Sequence, residues 1–233
     1  METAQDARVP RTADQRRALR DVARCRTAAL GGHVEGCGEC GHTRVAYNSC
    51  RNRHCPKCCA SQQATWLSRE AENLLPVEYH HVVFTLPAEV NPIGLLNPVA
   101  VYDALLGAAA ESIRTVAADP KHLGAEVGLL LVLHTWGQTL SYHPHAHGVV
   151  TGGGLTPDGR WRSCRPGFFL PVRALSRVFR AAFLARMRAV FERGKLAGFA
   201  DPQAFEEWVR TLLAKDWVVY AKPPFGGPAV VLK

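Results

Sequence analysis

The chain has 233 residues, of which 47% are hydrophobic and 21% charged, a composition that excludes wholesale disorder, collagen-like repeats and coiled coil. Lys and Arg number 28 against 20 Asp and Glu, and the resulting net charge of +8 favours a polyanionic partner over an acidic small molecule. No apolar stretch reaches membrane-spanning length and the N-terminus lacks the apolar core of a signal peptide, so we expect a cytoplasmic protein without a membrane partner.

The N-terminal region combines predicted helices with a cysteine-rich loop. Apolar residues recur at helical spacing until Gly31 ends the first helix. A second helix is predicted after Cys59 and ends before Pro76. We place the domain boundary there, which gives domains over residues 1–75 and 76–233.

The second domain alternates predicted strands and helices. Runs of β-branched and aromatic residues predict strands, and amphipathic runs that open near proline predict helices. In chain order these are a strand over 79–87, a helix over 98–118, strands over 126–136 and 146–151, helices over 171–193 and 202–215, and a strand over 217–220. The order β, α, β, β, α, α, β predicts an α+β fold with a ferredoxin-like or RRM-like antiparallel sheet and helices on one face.

The cysteines of the first domain predict a structural zinc site. Cys37 and Cys40 form one CxxC pair and Cys55 and Cys58 form a second, and fourteen residues separate the two pairs. Two CxxC turns offer four thiolates to one tetrahedral ion, and a chain without a secretion signal keeps its thiols reduced. We therefore predict Zn²⁺ bound by these four cysteines.

Further donors near the predicted zinc site leave a swapped ligand or a second ion open. These donors are Cys50, His54, His33 and Cys59. Cys25 and Cys164 stand apart in the sequence, and we predict that they are ordinary buried residues.

The segment SYHPHAHGVV carries the second metal pattern. His143, His145 and His147 alternate, so in a strand all three project from one face of the sheet. Imidazoles at this spacing favour a metal site with open positions for substrate and water. Gln138 lies seven residues before His145 and is the predicted third ligand, whereas His134 lies within an apolar run and is predicted to be a core residue.

These motifs resemble one family. The pair His145 and His147 resembles the signature of the HUH endonucleases. Together with the segments 49–58, 80–87, 136–150 and 218–228, it resembles the bacterial two-tyrosine rolling-circle insertion-sequence transposases that carry an N-terminal zinc-binding domain. The resemblance covers nearly the whole chain after residue 12.

The resemblance implies a mechanism. Mg²⁺ or Mn²⁺ held by His145, His147 and a third ligand such as Gln138 polarises the scissile phosphate of single-stranded DNA. A tyrosine then attacks in line, and the energy of the broken bond is kept in a 5′-phosphotyrosine. The family implies nicking and rejoining of DNA strands at the ends of an insertion sequence, that is, DNA transposition and recombination, by a bacterial cytoplasmic protein associated with the nucleoid.

The expected pair of nucleophilic tyrosines, four residues apart, has no match among the tyrosines of the chain. We therefore expect the nucleophiles beyond Lys233, a C-terminally incomplete HUH core, and a chain that binds metal and DNA without cleaving. The five tyrosines are Tyr47, Tyr79, Tyr102, Tyr142 and Tyr220. We predict a packing role in the last strand for Tyr220.

For the zinc region the resemblance implies recognition of single-stranded or hairpin DNA at transposon ends. The basic residues there have no acidic neighbour and are predicted to bind DNA; they are Arg44, Arg51, Arg53 and Lys57. A second basic segment over 158–195 is either an Arg-rich solvated helix face or a phosphate-binding surface.

Two other classes of function stay open: a non-catalytic zinc-dependent nucleic-acid-binding module and a metal-dependent hydrolase. The sequence does not predict the oligomeric state.

Overall fold

The computed structural model of the chain describes residues 13–52, 54–136, 141–167 and 169–222, without the side chains of Ser61 and Gln62. The chain divides into two compact units, Met1–Leu74 and Leu75–Lys233. Among the described residues, no helix has both the length and the apolar composition needed to cross a membrane.

The first unit consists of two helices around a β-hairpin. Its elements are α1 (Ala13–Arg24), β1 (Gly32–Gly36), β2 (Thr43–Tyr47) and α2 (Pro56–Glu72), with a short 3₁₀ turn over Ala28–Leu30. The hairpin, which the sequence did not predict, pairs β1 and β2 antiparallel, with Gly32 opposite Tyr47 and Gly36 opposite Thr43. Helix α2 begins earlier than predicted because Pro56 occupies its first turn, where the missing N–H is no loss.

The second unit contains the predicted strands and helices in the predicted order. Its elements are β3 (Tyr79–Thr85), α3 (Asn91–Leu96), α4 (Pro98–Ala118), β4 (Glu126–Trp136), β5 (Tyr142–Leu155), β6 (Trp161–Ser163), α5 (Val172–Glu192), α6 (Pro202–Leu213) and β7 (Val219–Ala221), with a 3₁₀ turn over Ala88–Val90. Strand β5 is longer than predicted at both ends, and α3 and β6 were not predicted.

The sheet of the second unit has the strand order β4-β5-β3-β7, with β6 paired to β5, and every pairing is antiparallel. Strand β5 lies between β3 and β4, the split arrangement of a ferredoxin-like sheet. The predicted α+β fold is confirmed. Strands β4 and β5 approach so closely that a β-carbon on Gly154 would overlap the Glu126 carbonyl oxygen, which explains the glycine there.

One face of this sheet packs against helices α4 and α5. Val82 and Phe84 of β3 are fully buried on that face, as are Ala146 and Val150 of β5. Phe84 meets Phe179 of α5 edge to face, with ring centroids 5.0 Å apart. Because side chains alternate along a strand, the residues between these, including the histidines of β5, project from the opposite face.

Candidate metal centres

Four cysteines of the first unit converge on one point. Cys25 follows α1, Cys50 follows β2, and Cys55 and Cys58 lie at the start of α2. Their sulfur atoms all lie within 4.8 Å of one another, with Sγ of Cys58 3.4 Å from Sγ of Cys25 and 3.6 Å from Sγ of Cys50. A tetrahedral zinc ion with Zn–S bonds near 2.3 Å sets its sulfurs about 3.8 Å apart, so the four thiols fit Zn²⁺.

The thiols of this cluster differ in acidity. Burial raises the pKa of Cys50 to about 12. Burial also opposes ionisation of Cys58, but hydrogen bonds from the thiols of Cys25 and Cys50 outweigh it and lower the pKa of Cys58 to about 6. Without a cation, ionisation of one sulfur therefore hinders ionisation of its neighbours. A bound dication removes this conflict because it stabilises all four thiolates together.

This ligand set differs from the predicted one. The cluster holds Cys55 and Cys58 as predicted, but Cys25 and Cys50 occupy the places expected for Cys37 and Cys40. Cys50 is one of the alternatives that the sequence left open. Cys25 is buried as predicted, but it lies in the cluster instead of apart from it.

The hairpin explains the difference. Cys37 and Cys40 lie in the turn between β1 and β2, whereas Asn48 at the other end donates its N–H to the Gly31 carbonyl and accepts one from Arg26. The strands are five residues long. At roughly 3.3 Å per residue the two ends of the hairpin lie about 16 Å apart. The hairpin therefore brings Cys25 and Cys50 together and carries the first CxxC pair away from them.

Three histidines of the second unit form the other cluster. Ligand nitrogens of His134, His145 and His147 lie within 4.8 Å of one another on the half-buried face of the sheet. His134 on β4 stands directly opposite His145 on β5, and its ring centroid is 4.3 Å from that of His147. His134 is thus a member of the candidate site and not the core residue that we predicted. Gln138, the predicted third ligand, lies outside the described residues.

Hydrogen bonds orient two of these rings. Nδ1 of His145 lies 2.7 Å from the His143 carbonyl oxygen, which only accepts, so Nδ1 carries the proton and Nε2 has a free lone pair. Nδ1 of His147 lies 2.7 Å from Nε2 of His81 on β3. Both contacts are of the kind that fix the tautomer of a metal-binding imidazole.

The cluster favours neutral imidazole. Burial first, and then the neighbouring rings of His134 and His81, lower the pKa of His147 to about 4. Burial, then the charge of His145, lowers the pKa of His134. Neutral imidazole is the form that binds metal, so at neutral pH these rings need not release a proton to bind an ion.

The predicted DNA-binding residues of the first unit are dispersed over its surface. Arg44 on β2 forms an ion pair with Glu35 on β1, with Nε to Oε2 at 2.6 Å. Lys57 donates to the Cys25 carbonyl at 3.2 Å, which ties α2 to the cysteine cluster. Arg51 is exposed in the loop beside Cys50, with a φ of 52°. Arg53 lies outside the described residues.

Five of the ten basic residues in the segment 158–195 form ion pairs or hydrogen bonds within the second unit. Arg186 pairs with Glu111 at 2.7 Å and Arg188 with Glu206. Arg162 and Arg180 donate to backbone carbonyl oxygens, and Arg160 pairs with Asp158. Because exposed ion pairs contribute little to stability, these contacts show only that the five arginines have partners within the unit. The solvated face and the phosphate-binding surface both stay predictions for this segment.

The fold and its clusters define a protein with a four-thiol metal domain followed by an antiparallel α+β domain that carries three histidines. Residues 2–86 match the family model "Transposase zinc-binding domain" (Zn_Tnp_IS91), and residues 128–233 match the model "Putative transposase" (Y2_Tnp). These matches confirm the predicted family: the chain belongs to the transposases with this N-terminal zinc-binding domain.

Two curated relatives agree with the family. The chain is 53% identical over 225 residues to "Putative transposase y4qJ" of Sinorhizobium fredii, an alignment that covers 94% of this chain and 56% of the relative. It is 36% identical over 141 residues to "Transposase for insertion sequence element IS801" of Pseudomonas savastanoi pv. phaseolicola, covering 60% and 33% respectively. The chain thus spans about half the length of the first relative and a third of the second.

Solved structures of the conjugative relaxase TrwC are similar to parts of the chain. A complex with mutant OriT DNA has a TM-score of 0.37 at 16% identity and covers 47% of this chain and 44% of that one. A metal-bound complex with OriT DNA has a TM-score of 0.38 at 16% identity and covers 56% of each chain.

Proposed function

We propose that this chain contributes the DNA-binding and metal-binding parts of a transposase that nicks and rejoins single-stranded DNA at insertion-sequence ends. The observation that carries the proposal is the three-histidine cluster on the half-buried face of the sheet, in a chain whose family is a transposase family. His134, His145 and His147 would hold one divalent ion, Mg²⁺ or Mn²⁺. Cys25, Cys50, Cys55 and Cys58 would hold Zn²⁺.

The histidine cluster fits a catalytic ion because it is incomplete as a coordination shell. Three neutral imidazoles leave positions for a phosphate oxygen and for water. A bound ion would supply Lewis-acid stabilisation to the phosphate on which charge develops. The chain's own residues would hold and orient the ligands: the strand register sets His134 opposite His145, and the His143 carbonyl engages Nδ1 of His145, which leaves Nε2 to bind the ion.

The nucleophile belongs to the same proposal. In this family's reaction a tyrosine hydroxyl attacks phosphorus in line, forms a 5′-phosphotyrosine and releases a 3′-hydroxyl that later reverses the step. Of the tyrosines in the chain, Tyr220 on β7 stands opposite Val83 and is 53% exposed, so it is not the packing residue that we predicted. It has no second tyrosine four residues away, and we assign it no role in attack.

The zinc unit is proposed to bind the DNA end. The cysteine cluster, with zinc bound, would hold the loop between β2 and α2, where exposed Arg51 is free of the ion pair that engages Arg44. Arg51 is therefore the residue of the predicted set best placed to contact a phosphate. Arg51→Gln should weaken binding of a fluorescent single strand and reduce the slope of log K against log salt by about 0.7. Arg69→Gln, an exposed arginine on α2, is the matched control and should leave the slope unchanged.

The ion site is tested by titration with Mn²⁺, followed by the electron paramagnetic resonance signal of the free ion. His134→Ala and His145→Ala should each weaken Mn²⁺ binding by more than tenfold. His122→Ala, which removes an exposed histidine between α4 and β4, should leave binding unchanged. Binding that survives in all three variants would refute the proposed site.

The alternative function is a non-catalytic zinc-dependent nucleic-acid-binding module. It predicts that DNA binding persists while Mn²⁺ binds nowhere in the chain. A metal-dependent hydrolase predicts strand cleavage by the chain without a covalent protein–DNA adduct. Incubation with a single-stranded oligonucleotide and Mn²⁺, analysed for cleaved strand and for adduct, separates these outcomes.

A further inference from the structure

His81 lies beside the histidine cluster without belonging to it. It projects from β3, while His147 projects from the neighbouring strand β5, two pairs further along the register. Their rings stack with centroids 4.9 Å apart and an interplanar angle of 19°. Nε2 of His81 lies 2.7 Å from Nδ1 of His147. At this distance one of the two nitrogens must donate a hydrogen bond to the other.

This contact decides which nitrogen of His147 faces a ligand. A ring nitrogen engaged in a hydrogen bond with another ring cannot bind an ion at the same time, so Nε2 is the available nitrogen of His147. A neutral imidazole has one protonated and one unprotonated nitrogen. For Nε2 of His147 to offer a lone pair to an ion, Nδ1 must carry the proton and donate a hydrogen bond to His81.

We propose that His81 is a positioning residue, whose Nε2 accepts the Nδ1–H of His147 and thereby holds His147 in the tautomer and orientation that bind the divalent ion. The inference rests on the proposed function, since it assigns His81 to the same ion site. His81 does not contact the ion or the DNA in this role.

The comparison with His145 shows why His81 matters. The Nδ1–H of His145 is held by the His143 carbonyl, a backbone group that is present whatever side chain occupies position 143. The Nδ1–H of His147 depends on a side chain instead. The backbone of the strand therefore orients His145, whereas a single substitution at position 81 can remove the group that orients His147.

The experiment compares three variants of the chain. His81→Ala removes the acceptor, His81→Gln restores one because the Gln side-chain carbonyl reaches a similar position, and Val83→Ala removes a neighbour that stands opposite His147 without removing an acceptor. Long-range ¹H–¹⁵N spectra of the histidine rings report the tautomer of His147 without any ion. Mn²⁺ titration reports affinity.

We expect His147 to carry its proton on Nδ1 in the parent chain, in His81→Gln and in Val83→Ala, and to shift toward Nε2–H in His81→Ala. Mn²⁺ affinity should fall 10- to 100-fold in His81→Ala and recover at least partly in His81→Gln. An unchanged tautomer and affinity in His81→Ala would overturn the proposal. Loss of affinity in both variants with an unchanged tautomer would also overturn it, because that result makes His81 a direct ligand.

The Mn²⁺ titrations and the tautomer spectra together distinguish failure of the proposed ion site from failure of the proposed role of His81. If His145→Ala binds Mn²⁺ as well as the parent chain does, the ion site itself is wrong. A tautomer that shifts in His81→Ala would then still show the His81 contact, but no ion would depend on it, and the positioning role would fall with the site. If His145→Ala abolishes binding and His81→Ala does not weaken it, only the role of His81 is refuted.

Discussion

The two units of this chain are stabilised by different means. In the described part of the first unit, the fully buried residues are Cys25 and Cys55, both members of the four-thiol cluster. The second unit buries large apolar side chains between its sheet and its helices, Phe84, Phe179, Phe183 and Leu105 among them. We therefore expect the stability of the first unit to depend on bound metal and that of the second to depend on its hydrophobic core.

Removal of zinc should produce the largest difference in stability between the two units. Structural zinc sites contribute about 10–16 kcal/mol of apparent binding free energy, which in a unit without a core is folding free energy. A strong chelator should therefore abolish amide hydrogen-exchange protection in β1, β2 and α2 and leave protection in α4 and α5 in place. Equal loss of protection in both units would contradict the comparison.

The ligand set can be tested within the first unit. Cobalt bound by four thiolates has an intense charge-transfer absorption that fewer thiolates weaken. Cys25→Ser should remove this tetrathiolate spectrum, because Cys25 is a member of the cluster. Cys37→Ser should keep it, since the hairpin holds Cys37 away from the other sulfurs. The opposite result would restore the two-CxxC site that the spacing predicted.

The core of the second unit should respond to truncation of an aromatic side chain. Phe179 is fully buried and packs edge to face against both Phe84 and Trp217. Phe179→Ala should lower the free energy of unfolding of this unit by about 3–5 kcal/mol, measured by denaturant titration, with zinc content unchanged. Leu95→Ala, at a position 65% exposed, is the control and should change stability by less than about 0.5 kcal/mol.

A helix cap should give the smallest effect. Asp201 precedes α6, and its side chain accepts the N–H of Ala204 at 2.8 Å. Asp201→Ala should lower the stability of the second unit by about 1 kcal/mol, whereas Asp201→Asn, which can also cap, should lower it less. If the two variants unfold at the same denaturant concentration, the cap contributes nothing measurable.

Sequence reasoning succeeded best where patterns are local. The boundaries of α4 and β4 agree with the predicted ones, because a long amphipathic run opened by Pro98 and a continuous apolar run are set by neighbouring residues. The alternation of His145 and His147 likewise predicted one shared face. The family, too, followed from short motifs that the family models confirm.

Only the tertiary structure shows which residues, distant in sequence, lie beside each local motif. His134 was assigned to the core because its sequence neighbours are apolar, yet the antiparallel register of β4 and β5 sets it opposite His145. His81 is 66 residues from His147 and becomes its neighbour only when β3 pairs with β5. Cys25 had no CxxC partner to mark it.

The sequence by itself determined the class of fold, the presence of two candidate metal-binding regions and the family of the chain. The tertiary structure alone decided which residues complete each cluster: Cys25 and Cys50 in the first unit, and His134, with His81 beside it, in the second. The physical reason is that a metal site requires ligand atoms a few ångströms apart in space. Spacing along the chain specifies that distance only within one turn or one strand, whereas strand register and the hairpin specify it between elements.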